Sequence, residues 1–227
     1  MTRLRPTRIV LAISTVTVMV TGLATAFADV TVYQNDFGSR GEFKEIIRSG
    51  GGKACDRRYR KKSNTMVASV HRGRTTCSFR PPVQGDGELP NHNISLDGKI
   101  LKKTPKSVRG GAFIEVTVRA GGGGTGYSLR VFPNKRRFEL RRTPGGAGFP
   151  VDGKDKAIKR INERNTLRLT ARGARITAEV NGKELAGVDD ANPGQVAGSK
   201  IRFGVGNRKQ KSKPVIATFK RVGVAVP

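Results

Sequence analysis

The sequence predicts an all-β protein, a sandwich or a barrel, from three observations. Short runs of alternating apolar and polar residues recur along the chain, the period of strands with one buried face. Gly, Asn and Pro fall between those runs, where tight turns are needed. Helical periodicity is nearly absent: residues 42–48 (EFKEIIR) allow two turns at most and residues 157–162 one more. Many short strands, glycine-rich turns and no long helix specify this class.

In chain order, residues 1–28 stand apart from the fold. Arg3, Arg5 and Arg8 precede an apolar stretch over residues 9–23, and Ala26-Phe27-Ala28 supplies the small-x-small pattern of a signal-peptidase site. Residues 1–28 are therefore expected to be a signal peptide, cleaved after Ala28, with retention as a membrane anchor the alternative. No second apolar span follows. Residues 29–227 are expected to form one exported, soluble domain, secreted or otherwise extracytoplasmic, with no membrane span after cleavage.

Charge bounds the partners. The 44 Lys and Arg against 17 Asp and Glu give +27; three of the arginines lie in the leader, which has no acid, so +24 remains. Basic residues run from Arg40 to Arg221 instead of gathering in a tail, which describes a basic globular domain that attracts polyanions. The two cysteines, Cys55 and Cys77, are an even count in an exported chain and are expected to form one disulfide.

The strands can then be placed. Residues 112–120 (AFIEVTVRA) set Ile114, Val116 and Val118 inward against Glu115, Thr117 and Arg119. Residues 126–142 (GYSLRVFPNKRRFELRR) read as a hairpin turning at Pro133-Asn134. Leu129, Val131, Phe138 and Leu140 point inward, and Arg130, Arg137 and Arg141 outward. Tyr127 shares the inward parity and is expected in the core. Residues 165–171 and 175–180 alternate in the same way, with Asn181-Gly182 as a tight turn. Residues 200–206 and 215–226 complete the series. Residues 80–110, rich in Pro, Gly and Asn, are the least regular and are expected to cross one face as a long excursion. The glycine runs at 121–124 and 145–148 have strands on both sides, so neither is the strand–loop–helix cradle of a phosphate.

The order of these pieces resembles the concanavalin A-like lectin/glucanase superfamily, including its bacterial laminin G-like and keto-glycoside-hydrolase-like members. The likeness rests on Asn35-Asp36-Phe37, on Gly126-Tyr127-Ser128-Leu129-Arg130 followed by Phe138-Glu139-Leu140-Arg141, and on Asn165-Thr166-Leu167-Arg168-Leu169. Gly173, Ile176, Val180-Asn181-Gly182 and Phe219-Lys220-Arg221-Val222 continue it, while residues 44–110 match least. The resemblance implies a two-sheet antiparallel jelly-roll sandwich with the first and last strands paired. Function is argued from the site.

Glycosidases need two carboxylates flanking the scissile bond. Glucanases of this fold carry them as Glu-x-Asp-x-x-Glu on one strand, and the nearest match is Glu179-Val180-Asn181-Gly182-Lys183-Glu184. Its central acid is Asn, and Asn181-Gly182 reads as a turn that separates Glu179 from Glu184. Glu115 has Thr117, not a second acid, as its strand neighbour. No catalytic residues, cofactor or serine–histidine arrangement are assigned. Asp189, Asp190 and Asn192, with Asp36 at a distance, are the best oxygen cluster for a cation, but they read as a polar turn before Pro193 and no metal is assigned.

The arginines remain. Arg119, Arg130, Arg137, Arg141, Arg168 and Arg175 are expected to point away from the core, with Lys135 and Arg136 at the hairpin tip and Arg142 at its end. Arg130, Lys135, Arg136, Arg137, Arg141, Arg142, Arg168 and Arg175 are thus the candidate ligand-binding residues. Arginine suits bidentate capture of carboxylate, sulfate or phosphate. The competing role is edge protection and solubility, with glutamates at 115, 139 and 179 consuming part of the charge. Trp is absent, which disfavours a neutral-sugar lectin, and no recognition helix or zinc spacing supports sequence-specific nucleic-acid binding. The expected function is a non-catalytic binding domain for anionic polysaccharide or another polyanion at the cell exterior. A glycoside-processing enzyme of this fold and a protein-binding adhesion module are the alternatives.

Overall fold

The computed structural model describes residues 29–83, 91–196 and 198–226; the expected signal peptide lies outside them. The described residues form fifteen strands. The first five are β1 (Val30–Asn35), β2 (Ile47–Arg48), β3 (Cys55–Arg60), β4 (Thr65–Val70) and β5 (Thr75–Arg80). Next come β6 (His92–Ile100), β7 (Ala112–Ala120), β8 (Gly126–Phe132), β9 (Arg137–Thr143) and β10 (Val151–Lys154). The last are β11 (Asn165–Arg172), β12 (Arg175–Val180), β13 (Lys183–Asp189), β14 (Lys200–Asn207) and β15 (Val215–Val226). Two short helices, α1 (Arg40–Glu45) and α2 (Lys106–Arg109), join them.

All the pairing is antiparallel. One sheet runs β13-β12-β11-β6-β15-β4-β3, with β1 also on β15, and the other runs β10-β9-β8-β7-β14-β5-β2. The inner faces meet in a single core that includes Ile94 and Leu96 of β6, Ile114 and Val116 of β7, and Phe203 of β14. The first and last strands pair as the resemblance implies, from Val30 opposite Val226 to Asn35 opposite Val222. Asn181 and Gly182 both take positive φ, at 53° and 80°, the left-handed pair a two-residue hairpin demands.

Three expectations are corrected. Of the segment 80–110, expected to cross one face, residues 84–90 lie outside the described ones, and His92–Ile100 is instead the strand β6 within the eight-stranded sheet, between β11 and β15. Its inward positions include His92 and Gly98, which hide the apolar alternation of Ile94, Leu96 and Ile100. Gly98 is small because a Cβ there would lie 3.0 Å from the Phe219 ring. The helix expected over 42–48 gives way at Ile46, whose buried side chain leads into the strand pair of Ile47 with Arg80. Residues 157–162 form turns, with Asn162 at φ +73°.

Cys55 and Cys77 form the expected disulfide, with Cα atoms 5.5 Å apart. It ties β3 of one sheet to β5 of the other. Gly51, at φ +86°, runs so close beneath it that a Cβ would meet Cys55 Sγ at 2.0 Å. Among the described residues no helix is long and apolar enough to cross a membrane.

Candidate functional site

The outer face of the seven-stranded sheet is built by β7, β8 and β9 in register. Glu115 of β7 pairs with Arg130 of β8, and Arg130 with Glu139 of β9, so one row crosses the three strands as acid, base, acid. Beside it, Thr117, Ser128 and Arg141 form the adjacent row, where Thr117 Oγ1 and Ser128 Oγ lie 2.9 Å apart. Phe113 and Phe132 also face this side, their ring centroids separated by 5.3 Å. Arginines cover both rings: the Arg130 guanidinium sits 4.8 Å over Phe113 and that of Arg137 5.6 Å over Phe132. The sheet makes room for Phe113 through Gly206 of β14, since a Cβ there would meet the ring at 2.0 Å.

The acids on this face are taken. Arg130 pairs with Glu115, and Arg137 and Arg208 both hold Glu139 Oε1, while Arg137 also reaches Asp152 of β10 at 3.1 Å. Arg141 has no carboxylate partner among the described residues, because its neighbours across β8 and β7 are small hydroxyls. It lines a cleft of about 430 Å³ with Arg130, Arg208, Phe113, Thr76 and Arg74, and Arg74 likewise has no carboxylate. Four guanidiniums therefore converge on one opening, and two of them have no counter-ion among the described residues.

Arg74 and Arg208 are the residues the sequence reading missed. Each stands in a turn outside a strand pattern: Arg74 has φ +51°, and its amide donates to the Lys209 carbonyl at 3.1 Å. Arg208 donates its amide to the Gly111 carbonyl at 2.9 Å. The basic runs Arg72-Gly73-Arg74 and Asn207-Arg208-Lys209 flank strand ends, which was the available signal.

Of the eight candidates, only Arg130, Arg137 and Arg141 share this face. Lys135 and Arg136 sit at the end of the hairpin, where Pro133–Lys135 forms a 3₁₀ turn and Arg136 takes φ +48°. Arg168 and Arg175 belong to the other sheet. Arg168 pairs with Asp29, and Arg175 with Asp189 at 2.9 Å.

Arg142 does not offer its charge to a ligand. It faces the core side of β9, where the buried Asp190 carboxylate receives its Nε at 2.6 Å. Its other nitrogens donate to the carbonyls of Pro144, Gly145 and Asn192 and to Gln195 Oε1, at 2.8–3.1 Å. Tyr127 donates its hydroxyl to the same Asp190 oxygen, and burial together with that carboxylate pushes the phenol up to about 12. Tyr127 is thus in the core as expected, and Asp190 is held by this network.

Arg119 also departs from the expected outward set. The pairing of β7 with β14 slips by one residue there, Lys200 lying opposite Ala120 and Arg202 opposite Thr117, and Arg119 takes φ +50°. This bulge turns the side chain between the sheets, 5.8 Å over the Tyr127 ring and donating to the Gly173 carbonyl at 2.6 Å.

Glu179 and Glu184 stand opposite each other on β12 and β13, in the eight-stranded sheet. The carboxylates that do share the arginine face are Glu115 and Glu139. Strand alternation could show that each points outward, but only the register of three strands brings them into one row.

No family model matches the chain, and no curated protein does. Solved structures do. The β-glucanase of Bacillus licheniformis superposes with TM-score 0.59 at 12% identity, over 87% of this chain and 98% of that one. Alginate lyase A1-II′, of polysaccharide lyase family 7, gives 0.54 at 14% identity over 78% and 85%. The carbohydrate-binding module CBM66 from Bacillus subtilis gives 0.50 at 12% identity over 78% and 92%. With the two antiparallel sheets and the paired terminal strands, these likenesses place the chain in the concanavalin A-like jelly-roll fold.

Proposed function

We propose that this chain is an exported, non-catalytic domain that binds anionic polysaccharide in the arginine cleft of the seven-stranded sheet. The observation that carries this reading is the pair Arg74 and Arg141. They line one opening with Arg130 and Arg208, and among the described residues no acid neutralises them. Guanidinium groups without a counter-ion in a cleft capture carboxylates or sulfates by paired hydrogen bonds. The company of the fold supports a saccharide ligand, since similar structures include a carbohydrate-binding module, a lyase of alginate and a glucanase.

A glycoside-processing enzyme is the second reading, favoured by Glu115 and Glu139 in one row. Each of those carboxylates is already engaged by arginine, whereas a glycosidase needs one carboxyl free to protonate the leaving oxygen. The binding reading therefore stands first.

Titration of the protein against polygalacturonate, heparin, a neutral glucan and duplex DNA, at several salt concentrations, tests both. Acidic polysaccharide should bind with an affinity that falls log-linearly with salt. The double variant Arg74→Ser/Arg141→Ser should reduce that slope by about 1–2, the share of two lost charge contacts. An unchanged slope in the double variant would move the binding surface elsewhere. Release of reducing ends that Glu115→Gln or Glu139→Gln abolishes would replace the binding reading with the enzymatic one.

A further inference from the structure

The densest run of cations in the chain lies outside the arginine cleft. Residues 53–62 (KACDRRYRKK) hold six Lys and Arg against one acid, Asp56, which His71 engages at 2.7 Å. They fall on and around β3, the last strand of the eight-stranded sheet, which among the described residues pairs with β4 alone. Between β3 and α1 opens a cleft of about 950 Å³, lined by Arg40, Phe43, Arg57, Arg58, Tyr59 and Lys61. Among the described residues, none of these four cations pairs with a carboxylate, in contrast to most arginines of the outer sheet faces.

The walls are also aromatic. The Phe43 and Tyr59 ring centroids are 6.1 Å apart, with the planes inclined by 33°. Arg57 is half-buried with its guanidinium 4.9 Å over Phe43, and among the described residues its hydrogen bonds go to the backbone carbonyls of Phe43 and Ile46. Burial and the neighbouring Arg48 hold its pKa below the ordinary arginine value, as fits a cation that lacks an anion. The Tyr59 hydroxyl lies 3.1 Å from the Gly38 carbonyl and 3.2 Å from Asn64 Oδ1. One phenolic proton cannot serve two acceptors, so one of them is left for a donor from outside.

We infer that this cleft is a second binding site, separate from the arginine cleft, for a carboxylated sugar. Its carboxylate meets the unpaired cations, a ring face lies on Tyr59, and a hydroxyl donates to the acceptor the phenol leaves open. Sulfate and a phosphodiester backbone carry acceptor oxygens only at neutral pH and satisfy the cations alone.

The test uses the Arg74→Ser/Arg141→Ser protein, so that the first cleft has lost its two unpaired cations and its reading stands or falls separately. Galacturonate and its short oligomers, galactose, inorganic sulfate and a deoxynucleotide pentamer are titrated while amide shifts of residues 38–64 are followed by NMR. Galacturonate should bind at one site with shifts centred on β3. Its dissociation constant should rise at least tenfold in Arg58→Ser/Lys61→Ser and in Tyr59→Ala, and only a few-fold in Tyr59→Phe. The two cations are at the surface, so that variant carries the test even where Tyr59→Ala loses the fold. Absence of shifts on β3, equal binding of sulfate and galacturonate, or tighter binding of the deoxynucleotide would each overturn the inference.

Discussion

Arg142 and Asp190 show what a single pair of residues contributes here. Both side chains are buried, at 1% and 3% exposure, and every donor of the guanidinium has an acceptor. Burial alone would lower the arginine's pKa, but the Asp190 carboxylate outweighs it and raises the value. Asp190 is pulled the other way: burial pushes it up, and the Tyr127 hydroxyl, the Asn192 amide and Arg142 more than offset that. Breaking such a pair leaves a buried charge uncompensated, so Asp190→Asn should destabilise the protein by about 3–5 kcal/mol. The urea midpoint of the variant against wild type measures this, and a loss under about 1 kcal/mol would show that Arg142 finds another acceptor. None of it could be read from the chain. Arg142 follows Arg141 directly in the strand β9, and the partner lies 48 residues away, past the end of β13.

At the scale of elements, legibility followed the purity of the alternation. β7, β8, β9, β11 and β12 present apolar residues at most of their inward positions, and the period marks each of them. It does not mark β6, because a histidine and a glycine stand at inward positions. β3, β4 and β5 are hidden as well. In β4 (TMVASV) the apolar residues are contiguous and all but Ser69 are buried, so no alternation marks it. β3 alternates charge with charge around Tyr59. What fastens β3 to the opposite sheet is the Cys55–Cys77 disulfide, which closes a loop of 22 residues. In the chain-entropy account that closure is worth about 3 kcal/mol. Cys55→Ser/Cys77→Ser should lower the unfolding free energy by this amount, and β3 and β5 should lose amide protection before β7 and β8 do. Uniform loss across both sheets in hydrogen exchange would contradict the local role of the bridge.

The whole molecule carries a large positive charge, and its response to acid follows from the groups that folding perturbs. His92 is fully buried, with neither ring nitrogen hydrogen-bonded among the described residues, and burial together with the nearby Arg119 pushes its pKa down to about 4. The unfolded chain protonates this histidine near 6.5, so it binds the proton more readily than the fold does. Stability is therefore full above about pH 6.5 and falls as the pH drops towards 4, by roughly 3 kcal/mol in total. Below that, Asp36 through Arg221, Asp155 through Lys183, and Asp190 lose their stabilising ionisation in turn, since their folded values lie below the ordinary one. Unfolding free energies measured from pH 7.5 to 3 should show both phases, and His92→Leu should flatten the upper one. A wild-type profile flat between 6.5 and 4.5 would mean that His92 is hydrated or partnered in solution.

The sequence by itself determined the fold class, the strands with clean alternation, the disulfide, the inward place of Tyr127 and the excess of positive charge. These are properties of period, composition and count, which do not depend on which strands become neighbours. Only the tertiary structure decided which charges remain uncompensated. Arg130, Arg137, Arg168 and Arg175 looked like Arg141 along the chain, yet register and sheet order set an acid against each of the four. Arg141 met Ser128 and Thr117 instead. Arg74 and Arg208 joined it because the β4–β5 turn packs beside the end of β14, and Arg119 left the surface through a one-residue bulge. Charge interaction acts between positions in space, so its sum over a face is fixed only when the two sheets close.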